Sequence, residues 1–195
     1  AVALRRAFPG AFIAWGVQGA SAPLIEAHSC VDLTIKISKK ELSSPMGLWS
    51  LRKRLREQKF DIALDPQGLT KSALVSWLSG APRRIGFARP VAREISPWLQ
   101  TDLVCSQQSH VVDRYLELLG PLKVNLHQAE FKFPTDAAAQ AGLAPFLDQP
   151  LLQNGFAVVN PGAGWDSRLW PVDRYGEVAK YLSHAHQLAT VIAWA

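Results

Sequence analysis

Short apolar runs alternate with helix-like segments along most of the chain, and this alternation is the strongest constraint on its fold. Each run is apolar almost throughout, which is typical of strands that are covered on both faces. Ser44 before Pro45 is a typical helix start. The alternation predicts an α/β fold with a mostly parallel sheet and helices on both sides. The predicted strands are residues 11–17, 31–37, 60–65, 83–87 and 101–105, and the predicted helices are 21–28, 44–58, 69–78 and 109–120.

The alternation loosens over residues 123–155, where an alanine-rich helix candidate is followed by a polar segment containing proline. We therefore predict one domain over residues 1–150 and the start of a second over 151–195. The second begins as a βαβ unit, with a strand at 156–160, a helix at 171–185 and a strand at 188–194. The first residues look like the second half of an amphipathic helix, and the last form an apolar run that needs a neighbouring strand. We expect missing chain on both sides.

Composition narrows the class of protein. The chain has 21 Lys and Arg against 16 Asp and Glu, a net charge of +5, which weakly favours anionic partners. Cys30 and Cys105 lie far apart, which predicts a reduced, cytoplasmic protein. No apolar stretch is long enough to cross a bilayer, so we expect at most attachment to a membrane surface. His184 and His186 are two apart on a helix and cannot share a metal ion, so no metal site is predicted.

Two segments place polar groups at predicted strand ends, where ligands bind in such sheets. The first is DPQGLTKS, residues 65–72. The second is NPGAGWDSR, residues 160–168, in which a glycine turn before a helix points backbone N–H groups at an anion and Arg168 adds a positive charge. Its spacing is not that of a dinucleotide or P-loop fingerprint, so the residues alone fit a structural turn equally well.

Four motifs in order resemble the lipopolysaccharide heptosyltransferases, two-domain glycosyltransferases of the GT-B type that transfer heptose from ADP-heptose to the inner core. They are residues 65–72, Gly86-Phe87 followed by Ala92-Arg93-Glu94, HVVDR at 110–114, and the loop 160–168 with Trp170-Pro171 after Arg168 and Leu169. The second and third motifs are more similar to heptosyltransferase I than to heptosyltransferase II. The resemblance implies a Rossmann-like acceptor domain over 1–150 that lacks its first strand, and a truncated Rossmann-like donor domain over 151–195.

The resemblance also implies site residues. The loop would contact the phosphates of ADP-heptose, with Arg168 stabilising the departing ADP. The acceptor, Kdo-lipid A, would be bound by basic and polar residues of the first domain. Ala163 and Gly164 depart from the family pattern, since heptosyltransferase I members tend to have hydroxyl residues there. The implied donor-binding residues are Asn160, Gly162, Ala163, Gly164 and Arg168, and the implied acceptor-binding residues are Lys39, Lys40, Gln67, Gly68, Lys71, Ser72 and Arg93.

The family's proposed catalytic base is an aspartate in the loop after the first strand, and the resemblance places it before residue 1. The base is therefore unknown here, and we expect the chain alone to be inactive. The implied reaction is an inverting displacement without a metal or other cofactor. The implied partners are ADP-heptose and Kdo-lipid A, with no nucleic acid, and the implied location is cytoplasmic, with a peripheral position on the inner membrane as an option.

Other interpretations stay open at this point. A sugar-nucleotide epimerase of the same two-domain build would also have the glycine loop, but it would need acidic pairs that we cannot locate. A basic module for anionic surfaces would explain the charge but not residues 65–72. The run Arg52-Lys53-Arg54 with Arg56 is interpreted as the solvated face of a helix whose Trp49, Leu51 and Leu55 pack inward, with contact to lipid A phosphates as the alternative. Trp170 is predicted to be a core anchor.

Overall fold

The computed structural model describes residues 1–124 and 129–193, so residue 194 of the last predicted strand lies outside the described residues. Contacts divide the chain into a first unit, Ala1–Pro134, and a second unit, Thr135–Ala195. The boundary predicted at 150 lies later in the chain. The alanine-rich helix, residues 137–147, belongs to the second unit. It buries none of its residues and takes no part in the core of the first unit.

Strands and helices alternate through both units as predicted. Single turns of 3₁₀ helix also occur, among them Ser96–Leu99 and Asp166–Arg168. The strands are β1 Ala14–Val17, β2 Leu33–Lys36, β3 Ile62–Asp65, β4 Arg83–Phe87, β5 Asp102–Val104, β6 Phe156–Val159 and β7 Ala189–Ile192. The helices are α1 Val2–Ala7, α2 Ala22–Glu26, α3 Lys39–Ser43, α4 Pro45–Glu57, α5 Thr70–Leu78, α6 Val111–Glu117, α7 Ala137–Leu147 and α8 Val172–His186.

Every strand pairing among the described residues is parallel, which confirms the predicted α/β class. β1 pairs with β2, β3 pairs with β4 and β4 with β5, and β6 pairs with β7. The strands of the first unit therefore form a two-stranded and a three-stranded sheet rather than one continuous ladder. β1 begins later than predicted because the Asp32 carboxylate, rather than a strand, accepts the N–H of Ile13.

Two clusters of buried side chains hold the first unit together. One joins Ile35 and Ile37 beside α4 and α5, through Leu51, Leu55 and Leu78. The other joins β4 to the loop that follows it and to the end of α6, through Ile85, Phe87, Ala92 and Leu118. The sequence predicts that the first strand of the second unit is covered on both faces. In β6, however, Phe156 and Val158 are exposed, so one face is not covered among the described residues.

Helix α4 starts as predicted, because Ser44 Oγ accepts the N–H of Gly47 and Pro45 occupies the first turn. Leu51 and Leu55 are buried, as expected, but Trp49 is 67 % exposed and the prediction that it packs inward is wrong. At about 100° per residue, a side chain two positions before Leu51 points to the other side of the helix. None of the described helices is long and apolar enough to cross a bilayer.

Candidate functional site

The carboxylate of Asp65 organises the turn at the end of β3. The residue is 2 % exposed, and its Oδ1 atom accepts the backbone N–H groups of Gln67 at 3.1 Å and Gly68 at 3.2 Å. Gly68 has φ +64°, a conformation that glycine adopts without strain. The chain then enters α5, whose first turn is closed by hydrogen bonds between Ser72 Oγ and the backbone of Leu69. The turn is therefore fixed from within.

The same carboxylate ties this turn to the loop after β4. Asp65 Oδ2 accepts from Ser96 Oγ at 3.4 Å and from Gln100 Nε2 at 3.3 Å. The backbone N–H of Arg93 donates to Gly68 O at 2.8 Å. A Cβ at Gly68 would lie 3.1 Å from Ala92 Cα, so the two loops touch through their backbones. The structure thus brings together the first two motifs of the sequence.

A side-chain hydrogen bond also closes this junction at the surface. Thr70 Oγ1 donates to the carboxylate of Glu94, and Arg89 Nη2 donates to Glu94 O at 2.9 Å. Gln67, Lys71 and Arg93 expose their side chains beside these bonds. These three predicted acceptor-binding residues have exposed side chains at this junction. Gly68 and Ser72 instead fix the turn.

Lys39 and Lys40 lie in α3, directly after β2, and both are exposed. A capping box starts this helix: Ser38 N donates to Glu41 Oε2 at 2.7 Å, and Glu41 N donates to Ser38 Oγ at 3.2 Å. The Ser38 N–H also lowers the pKa of Glu41. Among the described residues, no hydrogen bond or ion pair connects either lysine to the turn at 65–72, so the structure does not bring these two parts of the predicted acceptor site together by direct contact.

The loop 160–168 follows β6 and precedes α8, as predicted. Asn160 Oδ1 accepts the N–H of Gly162 at 2.9 Å, which bends the chain at the strand end. The glycines and Arg168 are exposed, and the N–H of Arg168 donates to Trp165 O within a 3₁₀ turn. In the described chain no side chain caps the first turn of α8. The predicted donor-binding residues therefore share one exposed loop beside a helix start.

Carboxylates balance the cations of this segment. Asp166 and Asp173 offset Arg168 and Arg174, so the loop and the first turn of α8 carry no net charge. An anion would be held here by backbone N–H groups and by Arg168 itself rather than by a general positive field. Ala163 lies between the two glycines, and it can offer an anion only its backbone N–H.

Trp170 does not anchor the loop in a core, contrary to the sequence-based prediction. Its side chain is 47 % exposed and meets the ring of Tyr175 edge-on, with 5.2 Å between ring centroids. Because Tyr175 belongs to α8, this pair fixes the loop against the helix that follows it in the chain. The prediction of burial was wrong because Tyr175, a neighbour in the chain, covers only part of the Trp170 ring.

The third motif, residues 110–114, has a structural role in the described chain. His110 Nδ1 accepts the N–H of Val112 at 3.4 Å and so caps α6. Arg114 donates from the same helix to Gln108 O and Ser109 O.

Sequence reasoning overlooked Ser96 and Gln100, which fasten the turn at 65–72, because nothing in their local sequence indicates a partner more than thirty residues earlier. A carboxylate directly after an apolar run was the available signal for Asp65.

Within residues 1–124 and 129–193, no group of three or more His, Cys, Asp or Glu is arranged to hold a metal ion. Cys30 is buried and Cys105 is exposed, and neither forms a disulfide bond. Besides the carboxylates of Asp65, Glu94 and Asp166, the polar groups gathered at the two loops are amides, hydroxyls, ammonium and guanidinium groups. Such groups suit anionic or sugar ligands.

Known proteins resemble this chain in sequence and in fold. The chain is 27 % identical to lipopolysaccharide heptosyltransferase 1 of Pseudomonas aeruginosa over 189 residues, which cover 90 % of this chain and 50 % of that protein. The chain thus spans about half the length of this curated relative.

Solved structures show the same fold. A glycosyl transferase family 9 protein from Veillonella parvula has a TM-score of 0.74 at 19 % identity, covering 98 % of this chain and 56 % of that one. E. coli heptosyltransferase WaaC with ADP-2-deoxy-2-fluoro heptose has a TM-score of 0.72 at 23 % identity, covering 100 % and 62 %. E. coli ADP-heptose LPS heptosyltransferase II has a TM-score of 0.68 at 21 % identity, covering 98 % and 57 %. These matches confirm the predicted GT-B type of fold.

The family itself is identified by sequence. The profile described as glycosyltransferase family 9 (heptosyltransferase) matches residues 48–195, most of the chain, including the turn at 65–72 and the loop at 160–168. The chain therefore belongs to glycosyltransferase family 9, the heptosyltransferases.

Proposed function

We propose that this chain contributes the acceptor-side domain and the start of the donor domain to a heptosyltransferase of lipopolysaccharide synthesis. The enzyme transfers heptose from ADP-heptose to Kdo-lipid A with inversion at the anomeric carbon. Family membership supports the class of reaction, and the structure of WaaC with an ADP-heptose analogue supports the class of donor. The observation that carries the proposal is the exposed loop 160–168, with its glycines and Arg168 at the end of β6.

The donor loop suits a diphosphate leaving group. Negative charge grows on the ADP oxygen as the bond to the anomeric carbon breaks. Preorganised N–H groups and a fixed cation stabilise that charge without a metal ion. The N–H groups of Ala163 and Gly164 lie in the exposed part of the loop, and Arg168 follows them. Because nearby carboxylates cancel the net charge, the loss of Arg168 removes a direct contact rather than a diffuse field.

The acceptor side suits an anionic glycolipid. Gln67 offers amide groups, and Lys71 and Arg93 offer cations at the junction of the two fastened loops. A turn fixed by the buried Asp65 keeps these side chains in a defined position, which lowers the entropy cost of ordering them on the ligand. Lys39 and Lys40 extend the basic character at the end of β2.

The donor assignment is tested by Arg168→Ala in a full-length protein that contains this chain. A charge-assisted contact is worth about 1.5 to 3 kcal/mol, so kcat/KM for ADP-heptose is expected to fall by roughly ten- to a hundredfold. Arg6→Ala is the matched control, since Arg6 is an exposed arginine of the first unit whose partner is Glu130. An unchanged kcat/KM in Arg168→Ala would remove the basis of the donor assignment.

The 195 residues alone are proposed to lack transferase activity. Much of the rate of such an enzyme comes from positioning donor against acceptor, and no residue of this chain is assigned as the base that deprotonates the acceptor hydroxyl. The measurement is ADP release from ADP-heptose with Kdo-lipid A present. Turnover that depends on the acceptor would refute this proposal. No cofactor besides the nucleotide sugar is proposed.

A lipid-anchored acceptor and a water-soluble donor meet only at a membrane surface. We therefore place the enzyme in the cytoplasm, peripheral on the inner membrane. The net charge of +5 is compatible with an anionic surface but does not say which face of the protein meets it.

A further inference from the structure

Helix α4 carries an exposed stripe of apolar and basic side chains that the proposed site does not use. Met46, Trp49, Lys53 and Arg56 are spaced three, four and three residues apart, so they lie along one side of the helix. Met46 is 80 % exposed and Trp49 is 67 % exposed. The helix already buries Leu51 and Leu55 on its other side, so this stripe is not needed for the core.

The stripe continues onto the neighbouring helix α5. The guanidinium carbon of Arg52 lies 6.0 Å from the centroid of the Trp77 ring, within the range of a cation–π contact. Trp77 is itself 43 % exposed. We call Met46, Trp49, Arg52, Lys53, Arg56 and Trp77 the α4 patch. The patch thus has two tryptophans, one methionine and three cations on two adjacent helices.

The cations of the α4 patch are available for an outside partner. Among the described residues, no carboxylate forms an ion pair with Arg52, Lys53 or Arg56. Arg54, in the same run, is committed, since its guanidinium donates to Lys36 O at 2.8 Å and lies 3.2 Å from Glu41 Oε1. Glu57 is the one acid on α4 itself. The α4 patch therefore combines exposed aromatic surface with uncommitted positive charge.

A shallow open hollow adjoins the basic end of the α4 patch. It is lined by Arg56, Lys59, Phe60, Ser79 and Gly80, at the ends of α4 and α5. Arg56 and Lys59 supply two cations there. Ser79 Oγ is buried and already bonded to Ser76 O and to the N–H of Ala81, so a phosphate group that approaches from solvent would meet the two cations.

We propose that the α4 patch docks on the surface of an anionic phospholipid bilayer. Tryptophan is favoured at the boundary between head groups and acyl chains, because its ring is apolar and its N–H is polar. Lysine and arginine reach anionic head groups from the same level. A helix that lies flat on a bilayer combines these two features. A second copy of this chain is a poorer partner for the α4 patch. A two-fold interface would place the three cations close to the same three cations of the other copy, which would repel them.

The biological purpose of this docking rests on the proposed function, because the proposed acceptor is a membrane lipid. The start of α4, which carries Met46, packs against α3, which carries Lys39 and Lys40. A Cβ on Gly47 of α4 would lie only 2.6 Å from Glu41 Cα of α3. Docking through this end would hold the basic residues of the acceptor side close to a membrane in which lipid A is anchored.

The test uses this chain and lipid vesicles without donor or acceptor. Binding is measured by cosedimentation with vesicles of phosphatidylethanolamine and phosphatidylglycerol, and with vesicles of phosphatidylcholine alone. We expect binding to the anionic vesicles only. Arg52→Gln with Lys53→Gln and Arg56→Gln is expected to lower the partition coefficient roughly 100-fold, since each cation near an anionic surface contributes about fivefold. Met46→Ser with Trp49→Ser is expected to lower it by roughly tenfold.

A matched control removes the same charge elsewhere. Lys123→Gln with Lys132→Gln and Lys180→Gln takes three exposed cations from outside the α4 patch. This variant is expected to keep most of the binding. An equal loss in the control would show that only net charge matters and would overturn the proposal. Absent vesicle binding would do the same, as would a dimer in sedimentation velocity that dissociates in Met46→Ser with Trp49→Ser.

The docking test and the test of the proposed transferase can fail independently of each other. Vesicle binding requires neither Arg168 nor turnover, so a failed docking test leaves the proposed heptosyl transfer standing. Conversely, normal kinetics in Arg168→Ala would refute the donor assignment without affecting vesicle binding. Because all the substituted side chains of the α4 patch are on the surface, circular dichroism of each variant is expected to match that of the unchanged chain.

Discussion

Replacing Asp65 by alanine removes the group that holds the turn at 65–72 and fastens it to the loop after β4. The carboxylate is 2 % exposed and accepts four hydrogen bonds, from Gln67 N, Gly68 N, Ser96 Oγ and Gln100 Nε2. The substitution leaves these donors without their acceptor. The N–H of Gly68 is the most costly of them, because Gly68 is itself buried and has little access to water.

The expected cost follows from these contacts. A hydrogen bond to a charged group contributes about 1.5 to 3 kcal/mol, and an unsatisfied buried donor costs about 1 to 3 kcal/mol. The side-chain contacts of Asp65 are long, at 3.3 and 3.4 Å, and Gln67 is exposed, so these terms lie at the low end. We expect Asp65→Ala to lower the free energy of unfolding by about 3 kcal/mol. Asp65→Asn keeps an oxygen for the two N–H groups and is expected to cost about 1 kcal/mol.

Urea denaturation followed by circular dichroism measures both changes. The control is Asp61→Ala, since Asp61 is exposed just before the same strand. Asp61→Ala is expected to change the free energy of unfolding by less than about 0.5 kcal/mol. The reasoning would be refuted if Asp65→Ala cost no more than this control, or if Asp65→Asn cost as much as Asp65→Ala, because the loss would then not come from the hydrogen bonds to Oδ1.

Three further outcomes are expected. Gly68→Ala is expected to lower the free energy of unfolding by about 1 to 3 kcal/mol in urea, because φ is +64° and the new Cβ would lie 3.1 Å from Ala92 Cα; a neutral effect would contradict this. The N–H of Ile13 and the Arg5 side chain lower the pKa of Asp32 below its ordinary 3.8, so its stabilising effect is present above that pH and lost as pH falls through the lowered value. Asp32→Asn is therefore expected to flatten the fall of Tm on acidification, and an unchanged pH profile would count against it. In a full-length protein, Arg93→Glu is expected to raise KM for the anionic acceptor far more than KM for the donor, and equal effects would mark Arg93 as a structural charge.

Much of the fold could be predicted because strand and helix signals are local. The run RRIGF became β4 with the predicted bounds, and Ser44 caps α4 as its sequence indicates. The glycine loop at 160–168 also lies between a strand and a helix as predicted. The family resemblance rested on four such local motifs, and the family match over residues 48–195 includes all four. The roles of individual residues within those segments were harder to predict.

The errors share a cause. Trp49 and Trp170 were assigned to a core because large aromatic side chains are usually buried, yet both are substantially exposed. The contacts that cover a side chain come from other elements, and a sequence pattern does not say which elements will be near. In α4, Leu51 and Leu55, with Leu48 packed against the same cluster, face β2 and α5, which leaves the tryptophan outside.

The sequence by itself determined the succession of strands and helices, the parallel α/β class and the segments in which polar groups would gather. Periodicity, caps and turn residues act over a few positions, so they can be recognised without knowing the path of the chain. Only the tertiary structure decided that Asp65 would be shared by Gln67, Gly68, Ser96 and Gln100, and that Trp49 would face solvent beside three cations. These outcomes depend on how separate elements pack, because burial and hydrogen bonding join residues that are distant along the chain.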